Sequence, residues 1–209
     1  MLTRCGDDLF SIGVERPDEA QALALQLREA GGWLDVVPGI DSVVVRFDAA
    51  RLSATEAQRA IDSVLAAGVQ PLEVSDELVE IPVIYGGESG PDLDELSQAT
   101  GLTPDEIVRL HTGREYRVDM VGFTPGFAFI GGLDERLRVP RRKEPRQRVP
   151  ARSVGIADER TGIYAMESPG GWTLIGRTSY PLFDATAEQP FALAPGMRVR
   201  FRAVTGDDE

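Results

Sequence analysis

The chain has 209 residues, a hydrophobic fraction of 42% and a formal net charge of −12. That length allows one large domain or two small ones, and that composition excludes a disordered polymer. The acidic balance argues against general binding to nucleic acid or to an anionic membrane, and no apolar run reaches the ~18–20 residues that cross a bilayer.

The amino-terminal residues Met1 to Asp8 lack the apolar core of a signal peptide, and the single cysteine, Cys5, has no intrachain disulfide partner. A reducing, cytoplasmic setting is expected, with Cys5 an incidental thiol near a frayed end. Leu9–Val14 reads as a strand. Asp18–Ala30 places Ala20, Leu23, Ala24 and Leu27 on one helical face before Gly31-Gly32 stops it. Leu34–Val37 and Ser42–Phe47 read as strands around the turn signal Pro38-Gly39. Ser53 and Glu56 form a capping box for a second helix running to about Ala67. Leu78–Tyr85 resumes as a strand. The order β-α-β-β-α-β predicts a ferredoxin-like α/β domain over residues 1–85. Residues 86–115 read as a connecting segment with helices at Leu93–Thr100 and Pro104–Leu110, the second capped by Thr103 and Glu106.

From Tyr116 the pattern is all-β, with strands expected at Tyr116–Phe123, Phe127–Ile130, Ser153–Ala157, Gly162–Met166, Trp172–Thr178 and Arg198–Val204. Short strands punctuated by turn residues over 116–206 predict a closed barrel or a sandwich, so the fold class is α+β.

Five features invite a chemical reading. Gly86-Gly-Glu-Ser-Gly90 follows a strand and precedes a helix, as a phosphate-cradling loop does, but it lacks the P-loop lysine and reads better as an interdomain linker. Gly101–His111 has the form of half a helix-turn-helix, yet its acidic surroundings favour an ordinary capped helix pair. His111 is the chain's single histidine, so any imidazole chemistry must use it. Its bland alternative is a helix-end residue facing the dipole. A site of two histidines, or of histidine and several cysteines, is excluded by count, and no metal ligand set is expected. Residues 136–152 hold eight basic side chains against Glu144 alone, a local balance of +7 that leaves −19 for the rest. Prolines 140, 145 and 150 keep this segment extended, so its arginines suit either a carboxylate or phosphate ligand or pairing with acidic surface. Finally, Gly122-Phe-Thr-Pro-Gly-Phe127 and Ser168-Pro-Gly-Gly-Trp172 combine aromatic rings with permissive backbone. Such loops either present N–H groups to an anion or turn barrel corners.

Val83–Leu93, Tyr116–Phe127, Gly131–Asp134, Pro140–Arg142, Val149-Pro150, Ser153–Ile156, Thr161–Tyr164 and Ser168–Thr178, with His111, together resemble the KipI/PxpB family. That family is also called allophanate hydrolase subunit 1, or the carboxyltransferase C/D domain family, and the resemblance runs from about residue 8 to 203. It implies a small N-terminal α/β domain followed by a cyclophilin-like β-barrel. It implies one subunit of an ATP-dependent 5-oxoprolinase, which opens the lactam 5-oxoproline to glutamate, acting with a KipA/PxpC-type and a PxpA-type partner. ATP would be bound by the complex, in a subunit the resemblance does not specify.

Two alternatives follow from the same resemblance. One is half of a biotin-dependent carboxyltransferase acting on urea or a small amide; the other is a non-catalytic inhibitor of a sensor histidine kinase. Prolyl isomerisation would rest on the barrel alone and is set aside. The implied catalytic residues are His111 and Arg142. The implied substrate-binding residues are Phe123, Pro125, Gly126, Phe127, Arg141, Arg146, Gly170 and Gly171. The chain departs from the family pattern at Arg152, where members carry glycine, at Arg160, where they carry glutamine, and at Ala165, where they carry proline. Arginine adopts positive φ only against steric cost, so Arg152 raises a question about the loop it occupies.

Overall fold

The computed structural model describes residues 1–72 and 77–205. The chain divides into two units, Met1–Val74 and Ser75–Glu209. In the first, β1 (Leu2–Arg4) and β2 (Leu9–Gly13) form a hairpin, followed by α1 (Pro17–Ala30), β3 (Asp35–Pro38), β4 (Ser42–Arg46) and α2 (Ala54–Ala66). Alternation along the strands decides which face is buried. Phe10 pairs with Val45, Val45 with Val36, and Ile12 with Val43, so one apolar side collects Phe10, Ile12, Val36, Val43 and Val45. Helix α1 supplies Ala20, Leu23, Ala24 and Leu27 to this core, and α2 supplies Ala57 and Ile61. The Ser53–Glu56 capping box is present as expected.

The sheet order is β1-β2-β4-β3, antiparallel throughout. The α+β class, with a four-stranded amino-terminal sheet and two helices, is as expected, and one strand assignment differs. The edge place beside β2, assigned to Leu78–Tyr85, is filled instead by Leu2–Arg4. The amino terminus is therefore not frayed: Gly13 N donates to Met1 O at 2.8 Å and Cys5 N to Leu9 O at 2.9 Å.

The second unit contains β5 (Leu78–Tyr85), α3 (Leu93–Thr100), α4 (Pro104–Thr112), β6 (Tyr116–Val121), β7 (Ala128–Gly131), a 3₁₀ turn (Glu135–Leu137), β8 (Arg146–Val149), β9 (Ser153–Ala157), β10 (Arg160–Ile163), β11 (Ser168–Gly170), β12 (Thr173–Arg177) and β13 (Arg198–Ala203). Seven of these strands close a barrel in the order β10-β7-β6-β13-β5-β12-β9, with β10 returning to β9. Strand β13 runs parallel to β5, from Leu78↔Arg198 to Val83↔Ala203. The other barrel pairs are antiparallel.

Strand β5 thus belongs to the barrel, and the expected boundary at residue 85 moves to between Val74 and Ser75. The physical reason is burial on a partner remote in sequence: Ile81 and Val83 are fully buried in the barrel core with Val199 and Phe201. Burying a side chain such as Ile81 stabilises by roughly 1.5–3 kcal/mol.

The expected linker, residues 86–115, is also part of this unit, since Leu93, Leu96 and Ile107 join the same core. Gly86–Gly90 is not a phosphate cradle. Gly86 N donates to Ile175 O, Gly90 N to Gly86 O, and a Cβ on Gly90 would overlap the Ile175 carbonyl. The glycine exists for close backbone packing on β12, and the turn leads directly into Asp92.

Candidate functional site

Four aromatic rings carried by three strands and their flanks converge in one cluster. Phe127 precedes β7, Phe129 lies within it, Tyr164 follows β10 and Trp172 precedes β12. All four are buried. Ring centroids lie 4.7 Å apart for Phe127–Phe129, 4.9 Å for Phe127–Tyr164 and 5.5 Å for Phe127–Trp172, the last two edge to face.

Two glycines make this packing possible. A Cβ on Gly162 would stand 2.7 Å from Trp172 Cζ3, and a Cβ on Gly170 would overlap the Tyr164 hydroxyl. Burial pushes the Tyr164 hydroxyl pKa up, opposed by a bond from the Trp172 backbone amide, so the phenol stays protonated and available as a donor. These rings, with Phe123, Arg141, Arg142, Pro145, Pro169, Gly170 and Gly171, line a cavity of about 300 Å³. Phe123 stands at this cavity, 66% exposed, with φ 69°, a left-handed conformation uncommon for a bulky residue.

The basic segment forms one wall. The Arg142 amide donates to Gly171 O at 2.7 Å, tying the Pro140–Pro145 loop to the Gly170-Gly171 turn. The Arg142 side chain points outward from that tie to two carboxylates, Glu95 at 2.8 Å and Asp92 at 3.5 Å. These partners, the Glu95 bond foremost, push its pKa further up, so it is charged at any working pH. Arg146 Nη2 meets Asp92 Oδ1 at 2.5 Å, while its Nη1 is buried without a partner among the described residues. Arg141 reaches Asp158 at a longer 3.9 Å.

His111 lies elsewhere. It is fully buried, with its ring 4.4 Å from that of Phe201. Its hydrogen bonds define its tautomer. Thr161 Oγ1 donates to Gly155 O at 3.1 Å, so it accepts the proton of His111 Nε2 at 2.9 Å. His111 Nδ1 then accepts from the Tyr85 hydroxyl at 2.7 Å. Burial lowers its pKa to about 3, so the imidazole is neutral and both nitrogens are engaged. It stitches α4 to β5 and β10 and is not among the residues around the cavity. In this structure His111 is a buried link between elements rather than an exposed helix-end residue.

Of the sequence-expected substrate residues, the structure gathers Phe123, Phe127, Arg141, Gly170 and Gly171 around the cavity, together with Arg142. Pro125, Gly126 and Arg146 do not line it. Gly126 is a packing glycine, with φ 77° and Phe183 and Ala165 closing on its missing Cβ. Phe129, Tyr164, Trp172 and Asp92 are not among the residues expected from sequence. The available signals for Tyr164 and Trp172 are the glycines at 162 and 170, two to ten residues from each. Arg152 does occupy a positive-φ position, at 68°, where its backbone bonds Tyr164 and Thr178. Arg160 is used structurally, pairing with Asp119 at 3.0 Å and with Glu159.

A closed mixed barrel with an aromatic cavity and an arginine-bearing wall, preceded in the chain by a four-stranded sheet with two helices, defines the class of this protein. The chain belongs to the family described as carboxyltransferase domain, subdomain C and D, whose model matches residues 3–193. It is 37% identical over its whole length to the 5-oxoprolinase B-type subunit of Bacillus subtilis (strain 168), covering 90% of that protein. It is 41% identical over 86% of its length to the B-type subunit of 5-oxoprolinase from Escherichia coli O157:H7, covering 82% of that protein. Among solved structures, TTHA0988 superposes with a TM-score of 0.79 at 38% identity, over 95% of this chain and 40% of that one. The uncharacterized PH0987 from Pyrococcus horikoshii superposes with a TM-score of 0.62 at 37% identity, over 100% and 99%. The K. lactis urea amidolyase shares the fold, with a TM-score of 0.82 at 18% identity, over 99% of this chain and 15% of that one.

Proposed function

We propose that this chain is the B-type subunit of an ATP-dependent 5-oxoprolinase, acting in the cytoplasm with PxpA-type and PxpC-type partners and inactive without them. The observation that carries the reading is the 37% identity over the full chain to a protein of that name and similar length.

The cavity supports it chemically. At about 300 Å³ it is the size of a small-molecule site, its aromatic wall suits a flat five-membered lactam, and Arg141 suits a carboxylate. A lactam is a poor electrophile, and ATP would supply the phosphoryl group that activates its oxygen. The residues at this cavity do not fit the triphosphate itself. Arg142 is already matched by two carboxylates, leaving Arg141 against several phosphate charges. ATP is therefore assigned to the partner subunits. What this chain contributes is binding and orientation: aromatic faces exclude water from the ring, the Tyr164 hydroxyl offers a neutral donor, and Arg141 holds the carboxylate.

The test is glutamate release from 5-oxoproline and ATP by the three purified proteins together. Turnover that disappears when this chain is omitted supports the reading. A correctly assembled complex that releases no glutamate overturns it, and carboxylation of urea with a biotin-bearing partner would then favour the carboxyltransferase alternative.

A further inference from the structure

The cavity's cationic wall is held from behind by a residue that does not line it. Asp92 sits at the start of α3 with its side chain 4% exposed. Its Oδ2 accepts the Leu174 amide at 2.7 Å, and its Oδ1 accepts Arg146 at 2.5 Å and Arg142 at 3.5 Å. One buried carboxylate thus engages two half-buried guanidiniums and a buried strand amide, each bond charge-assisted.

Arg141, one residue before Arg142, is treated differently. Its ion pair with Asp158, at 3.9 Å, joins side chains 62% and 54% exposed. A pair that long and that exposed gives way readily to an incoming ligand.

We propose that Asp92 is a positioning residue: it fixes Arg142 and Arg146, leaves Arg141 as the guanidinium that binds an anion in the cavity, and so selects a substrate with a single carboxylate on a small ring. The substrate's identity rests on the 5-oxoprolinase reading; the division of labour among the three arginines does not. If Arg142 were free beside Arg141, the wall would suit a phosphorylated or dicarboxylate ligand instead.

Two experiments separate the claims. In the first, the purified chain is treated with phenylglyoxal and modification of each arginine is followed by mass spectrometry. Arg141 is expected to react about fivefold faster than Arg142 or Arg146, and Asp92→Asn is expected to bring Arg146 within about twofold of it, while Glu95 still holds Arg142. Equal rates in the wild type, or an unchanged ratio in Asp92→Asn, overturn the proposal whatever the substrate. Should Asp92→Asn fail to fold, Glu95→Gln serves: it leaves Asp92 as the carboxylate on Arg142, so Arg142 should stay at least about threefold slower than Arg141, and a rate equal to that of Arg141 overturns the proposal.

The second uses the assembled three-protein enzyme. Asp92→Asn should raise KM for 5-oxoproline about tenfold with kcat within about threefold, and Arg141→Gln should raise it at least as much. The double variant should add little to Arg141→Gln alone, because Asp92 bonds Arg142 and reaches Arg141 as that residue's chain neighbour. Additive effects, or a fall in kcat at constant KM, overturn the positioning role. A wild-type complex that does not turn over 5-oxoproline removes the proposed function and leaves the phenylglyoxal result to decide Asp92.

Discussion

Replacing His111 by glutamine tests the structural role assigned to it. Glutamine keeps an N–H donor for Thr161 but removes the titrating ring and its packing on Phe201. At pH 7 the variant should be less stable by roughly 2–3 kcal/mol from lost volume and imperfect bonding. The pH dependence is more diagnostic. The folded pKa is about 3. The unfolded chain titrates near 6.5. Between those values the unfolded state binds a proton that the folded state refuses, so stability is fully present above about pH 6.5 and falls as the pH drops toward 3. From pH 7 to 4.5 this effect removes about 2.5 kcal/mol from the wild type and nothing from the variant. The depressed carboxylates Glu56, Glu106 and Asp134 occur in both proteins and cancel in the difference. Urea denaturation at pH 7.0, 5.5 and 4.5, followed by Trp172 fluorescence in a Trp33→Phe background, reports the barrel unit alone. The stability gap should narrow by about 2.5 kcal/mol across the series. A gap constant to within about 0.5 kcal/mol would refute a neutral, buried imidazole.

Three further outcomes are expected. Gly170→Ala forces a methyl into the Tyr164 hydroxyl, which should cost about 1–3 kcal/mol and shift the near-UV signal of Trp172; an unperturbed spectrum would contradict the packing described. At Arg152, glycine should be within about 1 kcal/mol of the wild type, because relief of left-handed strain offsets added unfolded-state entropy, whereas valine should cost about 2 kcal/mol; equal urea midpoints for the two variants would argue against positive φ there. Ser53→Ala removes one half of the α2 capping box and should destabilise the first unit by about 1 kcal/mol, read by Trp33 fluorescence in a Trp172→Phe background.

Local signals are legible wherever local physics decides. Ser53–Glu56 and Thr103–Glu106 each announce a helix start, and both capping boxes are made. Ser153–Ala157 is readable as a strand to the residue. Partnership is what cannot be read. Alternation in Leu78–Tyr85 says that a strand forms, but its parallel mate lies 120 positions later, and nothing within the segment names that mate. The two short strands Leu2–Arg4 and Ser168–Gly170 escape a sequence reading because three residues hold too little pattern to register.

The site shows the same division. Glycine, proline and arginine density points to the loops that surround the cavity, since those residues act through local backbone and charge. The carboxylate that meets Arg142 and Arg146 is Asp92, some fifty residues upstream, and nothing local to the basic segment names it. His111 misleads for the opposite reason: a lone histidine carries a strong chemical expectation, while its actual hydroxyl partners, Tyr85 and Thr161, are 26 and 50 positions away.

The parallel pairing of β13 with β5 also sets an order of events during synthesis. The barrel is open between β5 and β6 until Arg198–Ala203 has left the ribosome, because β13 is the strand that joins those two. The first sheet has all four of its strands by residue 46. One unit can therefore fold early while the other must keep Ile81, Val83 and the edge of β5 uncovered through more than a hundred further residues of translation. In a protein meant to join other subunits, the same late strand decides when a complete surface first exists for them to meet.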